Sequence, residues 1–169
     1  MAVLGRTVTN LEDSPAREIA LHDSEGAPIK GVSVFLRLLP RALSEKLIRP
    51  AMRKARGKDE DAAEEAIGRW MREHMGKALV DTKGFEWGFD DQGAVDAYSI
   101  HFPGLIVRDV VTFDGRWSDS LKEKFFSDNP ALVALLIDAY KRLAQIGAAD
   151  KREEDEGKGS TSQAGSLSA

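Results

Sequence analysis

The sequence predicts a mainly α-helical protein with a small N-terminal β-hairpin, an α+β fold in which one compact helical domain ends in a disordered C-terminal tail. Three observations lead to this prediction. Two stretches rich in β-branched and apolar residues, 17–22 and 29–39, flank a segment containing Gly26 and Pro28. Apolar residues then recur at helical spacing. After Ile146 the chain changes to a charge run and a small, polar end.

The domain boundaries follow from composition. Residues 1–16 are polar, end in Ser-Pro, and are expected to form a flexible arm. Residues 17–148 form a single hairpin-plus-helical domain, because 169 residues with 42% hydrophobic content supply one sizeable core but not two. Residues 149–169 carry KREEDE followed by small polar residues, and cannot bury enough apolar surface to offset the entropy of ordering them. They are predicted to be a disordered tail.

A helical hairpin is predicted after the β-hairpin. Residues 42–56 form a helix with a kink or break at Pro50, where a backbone hydrogen bond is lost, and with an inward side made by Leu43, Leu47 and Met52. The acidic block 59–61 suits the start of a second helix, which continues to about Val80. The apolar side of this second helix is expected to contain Ala63, Ala66, Ile67, Trp70, Met71, His74 and Leu79.

Residues 81–117 are rich in glycine and aromatic residues and predict mixed structure. The part from Leu105 to Phe113 is compatible with a short buried strand or with a turn of helix and a loop. The side chains expected in the core from this region are those of Phe85, Trp87, Phe89, Ile106, Val107 and Val110.

The clearest signals for where helices begin and end lie between Trp117 and Ile146. Ser118 is expected to cap a short helix, and Asn129 with Pro130 to cap and begin a second one. The second helix carries a wide apolar stripe formed by Leu132, Leu136, Ala139, Tyr140 and Leu143. Its polar side is expected to contain Asp138, Lys141, Arg142 and Gln145.

No residue pattern in the chain predicts catalysis, a metal or a cofactor. There are no cysteines, which excludes disulfides, thiolate ligands and cysteine nucleophiles. None of the three histidines lies within four residues of another, so no HxH or HxxxH metal spacing exists. Two aspartate groups, 90–91 and 114, suit turns better than a calcium loop. We therefore expect no catalytic residues, no metal ligands and no cofactor.

Charge and the N-terminus narrow the class of protein further. The net charge of -4 argues against a nucleic-acid partner, and so do the acids that follow the basic run 41–58. We interpret this run as a solvated helix face whose charge the adjacent acids neutralise. The N-terminal residues lack the long apolar run of a signal peptide or a membrane-spanning helix. We expect a soluble, intracellular protein that does not enter a membrane.

The layout of the chain resembles the tail assembly chaperones of long-tailed, siphovirus-like bacteriophages. The resemblance rests on a hairpin whose second strand leads into a helix (29–56), an Ala-Leu-Val-Asp segment (78–81) and an FDG turn (113–115). It continues in the two capped helices of residues 117–143, separated by Asn-Pro, and in the acidic, lysine-containing end. Residues 82–111 depart from the family layout, because they are longer and richer in glycine.

The resemblance implies a non-enzymatic function and a set of partners. Such proteins bind the tape measure protein, keep it soluble, and recruit tail tube subunits during tail assembly. In many members ribosomal frameshifting gives a longer form whose extension contacts the major tail tube protein, and Gly157 and Lys158 lie where that slip is expected. The family acts in the host cell cytoplasm and leaves before the virion is mature.

Residues for partner contact are predicted from the apolar stripe and its neighbours. They form either core or interface, and self-association is a further expected way to bury them: Trp117, Phe125, Leu132, Leu136, Tyr140 and Leu143. Two other classes of function stay open from the sequence. One is a structural virion component, such as a tail completion or head–tail connector protein, and the other is a nucleic-acid-binding regulator that uses the basic helix.

Overall fold

A computed structural model of the protein describes residues 14–89, 91–107 and 110–164, with residues 106, 107, 110 and 158–164 by their backbone alone. Within these residues the chain forms five helices, a three-stranded antiparallel sheet and a two-stranded sheet. An N-terminal hairpin precedes the helices, so the predicted fold class is confirmed. Most of the predicted N-terminal arm lies outside the described residues; at its end, Ser14 Oγ donates a hydrogen bond to the carbonyl of Leu38 at 2.7 Å.

The predicted β-hairpin is formed by β1 (Arg17–His22) and β2 (Pro28–Leu36), which pair antiparallel. The loop between them is longer than two residues, as predicted, and the carboxylate of Asp23 accepts hydrogen bonds from the backbone N–H groups of Glu25 and Ala27. Alternate residues of both strands point into the core, and the buried ones are Ile19, Leu21, Val34 and Leu36.

The helical hairpin consists of α1 (Arg41–Ala55) and α2 (Glu60–Ala78), and α1 packs mainly against α2. The carboxylate of Asp59 caps α2 by accepting from the N–H of Ala62. Pro50 does not split α1, which remains a single helix through that exposed position. A proline ring on the exposed side costs one backbone hydrogen bond without disturbing the contact with α2.

Two side chains that the sequence placed inside the helical hairpin are at its surface. Met52 is 48% exposed, and its neighbour Ala51 is buried instead. Ile67 is 39% exposed, whereas Met75 and Ala78 lie in the core. The prediction was wrong at these positions because α1 turns Ala51 inward and α2 buries residues only in its C-terminal part, at His74, Met75 and Ala78.

A third strand replaces the predicted end of the second helix. β3 (Leu79–Lys83) begins directly after α2 and pairs antiparallel with β2, so the sheet order is β1-β2-β3. The register places Thr82 opposite Val34. The sheet therefore joins the N-terminal hairpin to the C-terminal end of α2.

The region of mixed structure contains α3 (Gln92–His101) and a small ladder of β4 (Ile106–Val107) with β5 (Val110–Val111). The sequence allowed one short buried strand or a helical turn with a loop at 105–113, and the described residues there form two paired two-residue strands instead. Among the core residues expected here, Phe85 is buried, and Trp87 and Phe89 pack partly buried against the core. The side chains of Ile106, Val107 and Val110 lie outside the described part.

The last two helices are α4 (Asp119–Asp128) and α5 (Pro130–Ala164). Ser118 caps α4 as predicted, by accepting from the N–H of Leu121 at 3.2 Å. The side-chain amide of Asn129 donates to the carbonyl of Phe125 at 2.9 Å. The side-chain amide of Asn129 therefore caps the C-terminal end of α4. The next residue, Pro130, is the first residue of α5, as predicted.

Helix α5 has two parts: a packed half, up to Gly147, that lies against the domain, and a projecting half that continues beyond it. Arg142 donates to the carbonyl of Ala20 at 2.9 Å and lies 3.1 Å from Nε2 of His22, which fixes α5 against β1. Beyond this point α5 continues as a helix to Ala164, where the sequence predicted a disordered tail from residue 149. Charges of opposite sign at 151 and 155 and at 152 and 156 have the spacing that supports a helix without a core. The described side chains from residue 148 to 157 are exposed.

Candidate partner-binding groove

The residues predicted as core or interface lie mostly in the core. Phe125, Leu132, Leu136 and Leu143 are between 0% and 3% exposed. The ring of Phe125 lies 4.7 Å from that of Phe113, centroid to centroid. In the folded monomer, these four side chains have no surface to offer a partner.

Trp117 and Tyr140 are half-buried, and each uses its polar atom inside the domain. Trp117 Nε1 donates to Thr82 Oγ1 at 3.0 Å, and Tyr140 Oη accepts from the N–H of Leu39 at 3.0 Å. Burial raises the pKa of the Tyr140 hydroxyl, whereas its contact with Leu39 lowers it. The Tyr140 bond connects α5 to the segment between β2 and α1, and the Trp117 bond connects the residues before α4 to β3.

A groove of about 790 Å³ lies between α2 and α4. Its floor is formed by Gly76 and the half-buried side chain of Val80, which lie over buried Leu79. Because Gly76 has no side chain, the two helices leave open space above it. The walls are lined by Arg37, Arg69, Arg72, Glu73 and Lys77 on one side, and by Asp119, Lys122, Glu123 and Ser127 on the other.

Lys122 fixes the position of α4 relative to the end of α2. Its ammonium group donates to the carbonyl of Gly76 at 2.9 Å and also to the carbonyl of Leu79. A cation at the C-terminal end of a helix satisfies carbonyls that have no partner within the helix and complements the helix dipole. Burial lowers the pKa of Lys122; Asp119 opposes this effect and Arg37 adds to it.

The groove is positively charged although the chain is acidic. It contains five cationic side chains and three acidic ones, whereas the whole chain has a net charge of -4. The ion pair of Arg69 with Glu65 in the preceding turn is exposed, with 63% and 69% of the two side chains accessible, so water screens it. The groove therefore combines an apolar floor with a surplus of positive charge at its rim.

A second charged surface lies on α1. The cations at 46, 49, 53 and 56 recur at helical spacing and are all exposed. The sequence analysis expected the acids of residues 59–65 to neutralise them. In the described part of the chain, however, the only ion pair from those acids joins Glu65 to Arg69 within α2. Arg41 pairs with Glu45, so the rest of the α1 surface is a solvated basic face.

The aspartates considered for metal binding serve turns and caps. Asp91 caps α3 by accepting from the N–H of Ala94. Asp114 accepts from Thr82 Oγ1 at 2.8 Å and from the N–H of Gly84 at 2.7 Å. Asp90 lies outside the described residues. Within the described ones, no group of three or more histidines and carboxylates is placed to hold a metal ion.

His74 is the one buried histidine among the three, all of which are described. Its Nε2 lies 3.3 Å from Ser44 Oγ, and its ring meets the edges of Trp70 and Tyr140. Burial lowers the pKa of His74. It therefore packs α2 against α1 and α5 in its neutral form.

The sequence analysis did not name the groove residues. The available signal was the row of Arg69, Arg72 and Gly76 at helical spacing on the polar side of the second helix. That row becomes one wall of a groove only because α4 packs beside it. No pattern within residues 60–80 indicates this neighbour.

Comparison with known proteins gives no relative: no protein-family model, no curated protein and no solved structure matches the chain. Among the helices of the described residues, none combines the length and the apolar character needed to cross a membrane.

Proposed function

We propose that the protein is a tail assembly chaperone of a long-tailed bacteriophage, which binds the tape measure protein, keeps it soluble, and recruits tail tube subunits during assembly. The observation that supports this proposal best is the groove between α2 and α4. Its apolar floor and cationic walls suit an extended helical partner that is apolar on one side and acidic at its edges.

The dimensions of the groove fit a short length of partner helix. The α2 wall runs from Arg69 to Lys77, which is about 12 Å at 1.5 Å per residue and corresponds to about two helical turns of a partner. Two turns of an amphipathic helix present about three apolar side chains to one face. One copy of the chaperone would then cover a small part of a long tape measure protein, and many copies would bind along it.

The charges of the groove give the interaction its selectivity. Arg72 and Lys122 are half-buried, so an acidic side chain that enters between them is shielded from water on several sides. Ion pairs in such positions are screened less than those on an open surface. Basic segments of other proteins are repelled by the same residues.

In this proposal the projecting half of α5 carries the longer form. A ribosomal slip at Gly157 and Lys158 would append the extension to a helix that has already left the domain. The extension, which would recruit the major tail tube protein, would thereby be kept away from the groove.

The direct test is binding of the cognate tape measure protein to groove variants. We expect the double variant Arg69→Glu with Arg72→Glu to weaken binding at least about tenfold, because two attractive charges become repulsive. The variant Gly76→Phe fills the floor of the groove, where an added Cβ meets nothing within 4 Å. The matched control is Lys30→Glu with Lys141→Glu, which changes charge equally at exposed positions outside the groove. Pull-down after co-expression and titration by fluorescence anisotropy measure the effect.

Two results would contradict the proposal. The first is equal binding by the groove variants and the control. The second concerns the virion, since a chaperone leaves during assembly. If mass spectrometry of purified particles detects the protein at the stoichiometry of a structural component, it is a tail completion or connector protein instead.

A further inference from the structure

We propose that two copies of the chain associate, with the basic face of α1 in one copy against the acidic end of α5 in the other. The basic face consists of Lys46, Arg49 and Arg53 on α1 and Arg56 at its C-cap. The acidic end is residues 150–156 of α5, in which five residues are acidic and two are basic. This contact is separate from the groove and does not rest on the proposed function.

The basic face is uncovered in the monomer. Its four cations lie three or four residues apart, so they form one stripe about 15 Å long on the side of α1 away from α2. Met52 lies next to this stripe and is 48% exposed. A stripe of like charges on one helix repels itself, and the repulsion is relieved when an acidic helix lies against it.

The acidic end of α5 has the complementary arrangement. Glu153 and Glu154 are exposed, and Ile146, two turns earlier, is 48% exposed. Residues 146, 150 and 153 share one side of the helix, which combines an apolar residue with two acids. When this side lies along α1, Ile146 can meet Met52 while the acids meet the arginines.

The two surfaces do not meet within one copy. α5 is a continuous helix from Pro130 to Ala164, and its described ion pair beyond residue 148 joins Asp150 to Arg17 on β1. No ion pair of the described residues joins the acidic end to α1. A helix that projects about 25 Å beyond Gly147 cannot bend back onto α1, so its partner must be a second copy.

A reciprocal contact between the two copies would give a closed dimer. If the α5 end of each copy lies on α1 of the other, the same patches are used twice and a two-fold dimer forms without exposing further sites. Because most of the pairs are exposed, the association is expected to be weak at physiological ionic strength and stronger at low salt.

The test is the mass of the full chain in solution, by light scattering or sedimentation, over an approximately hundredfold range of concentration. We expect a dimer at about 20 mM salt that dissociates at about 500 mM. Reversal of the acidic end (Glu153→Lys with Glu154→Lys) and reversal of the basic face (Lys46→Glu with Arg49→Glu and Arg53→Glu) should each weaken dimerisation at least about tenfold. The control Lys30→Glu with Lys141→Glu should leave it unchanged.

A mixture of the two reversed variants gives the sharpest outcome. Each variant alone presents like charges at the contact, whereas the mixture restores opposite charges at both, so a heterodimer should form. Circular dichroism would first establish that both variants are folded. The proposal is overturned if the native chain is monomeric at low salt, if the mixture fails to associate, or if the basic face binds duplex DNA while reversal of the acidic end has no effect on mass. Loss of tape measure binding by groove variants would not affect this result.

Discussion

The aromatic centre and the helical hairpin of α1 and α2 are built in opposite ways. In the centre, Phe113 and Phe125 are 0% exposed, and the ring of Trp117 stacks on that of Phe113 at 4.9 Å. In α1, by contrast, Ala51 is the only buried residue, and the outer face is basic. The centre therefore consists largely of buried rings, whereas the hairpin buries Ala51 and the C-terminal turns of α2 and leaves the outer face of α1 accessible. Substitutions in the two regions should have separable effects on folding and on association.

The largest expected effect comes from truncating the aromatic centre. Phe125→Ala removes a ring that contacts the rings of Phe85, Trp87, Tyr98, Phe113 and Trp117, and leaves a cavity. We expect a loss of about 3–5 kcal/mol in the free energy of unfolding, measured by urea denaturation. The matched change on the hairpin, Met52→Ala, should cost about 0.5 kcal/mol or less. Equal losses would show that the hairpin contributes as much to folding as the centre does.

The second-largest loss of stability is expected at Gly84, which precedes Phe85 of the aromatic centre. Gly84 has φ +68°, and an added Cβ would lie 2.1 Å from the carbonyl oxygen of Gly31 on β2. Gly84→Ala should therefore destabilise the protein by about 2–3 kcal/mol, because the neighbour is backbone and the conformation is strained for an L-residue. The control Gly88→Ala adds a Cβ that meets nothing within 4 Å. Thermal unfolding of the two variants measures the difference, and similar midpoints would contradict the role of Gly84.

The sequence predicted the elements whose signals are local. Ser118 before α4 and the alternation along β2 identify a cap and a strand from a few neighbouring residues. β3 was missed because residues 79–83 follow α2 without a glycine or proline, and their strand conformation depends on the open edge of β2, more than 40 residues earlier in the chain. α3 was missed because it is short and has Gly93 in its first turn.

The site was less predictable than the fold for the same reason. Apolar stripes identify Leu132 and Leu136 as inward-facing, but the stripe does not distinguish a core from an interface. The structure places both in the core. The groove depends on which helix packs beside α2, and this information is absent from the sequence of α2 itself. Exposed charged residues in the sequence do not indicate which of them will line a groove until the neighbouring helix is known.

A third effect tests how the packed half of α5 is fixed to the sheet. Arg142 contacts Asp138, His22 and the carbonyl of Ala20, and its side chain is 24% exposed. Arg142→Gln should cost about 1 kcal/mol, since these hydrogen bonds are partly exchanged for water. Lys141→Gln, the adjacent exposed position, should be neutral. Urea denaturation compares the two, and a neutral Arg142→Gln would show that the apolar stripe alone holds α5.

The smallest effect lies at the junction of α1, α2 and α5, where His74 of α2 contacts Ser44 of α1 and Tyr140 of α5. Burial lowers the pKa of His74 in the folded state, so the unfolded chain takes up a proton at higher pH than the folded one does. Above the unfolded value of 6.5 the group is neutral in both states and costs nothing. As the pH falls below that value, stability is lost until the folded pKa is passed, with a slope below the one-proton limit of about 1.4 kcal/mol per pH unit.

The measurement for His74 is the free energy of unfolding as a function of pH in the native chain and in His74→Gln. The difference between the two curves should decrease from neutral pH into the acidic range, because only the native chain carries the buried imidazole. His101→Gln removes an exposed histidine and serves as the control. A native curve that runs parallel to that of His74→Gln would mean that the junction opens to water around the ring. The helices α1 and α2 would then be less tightly joined than the 3.3 Å contact between Ser44 and His74 indicates.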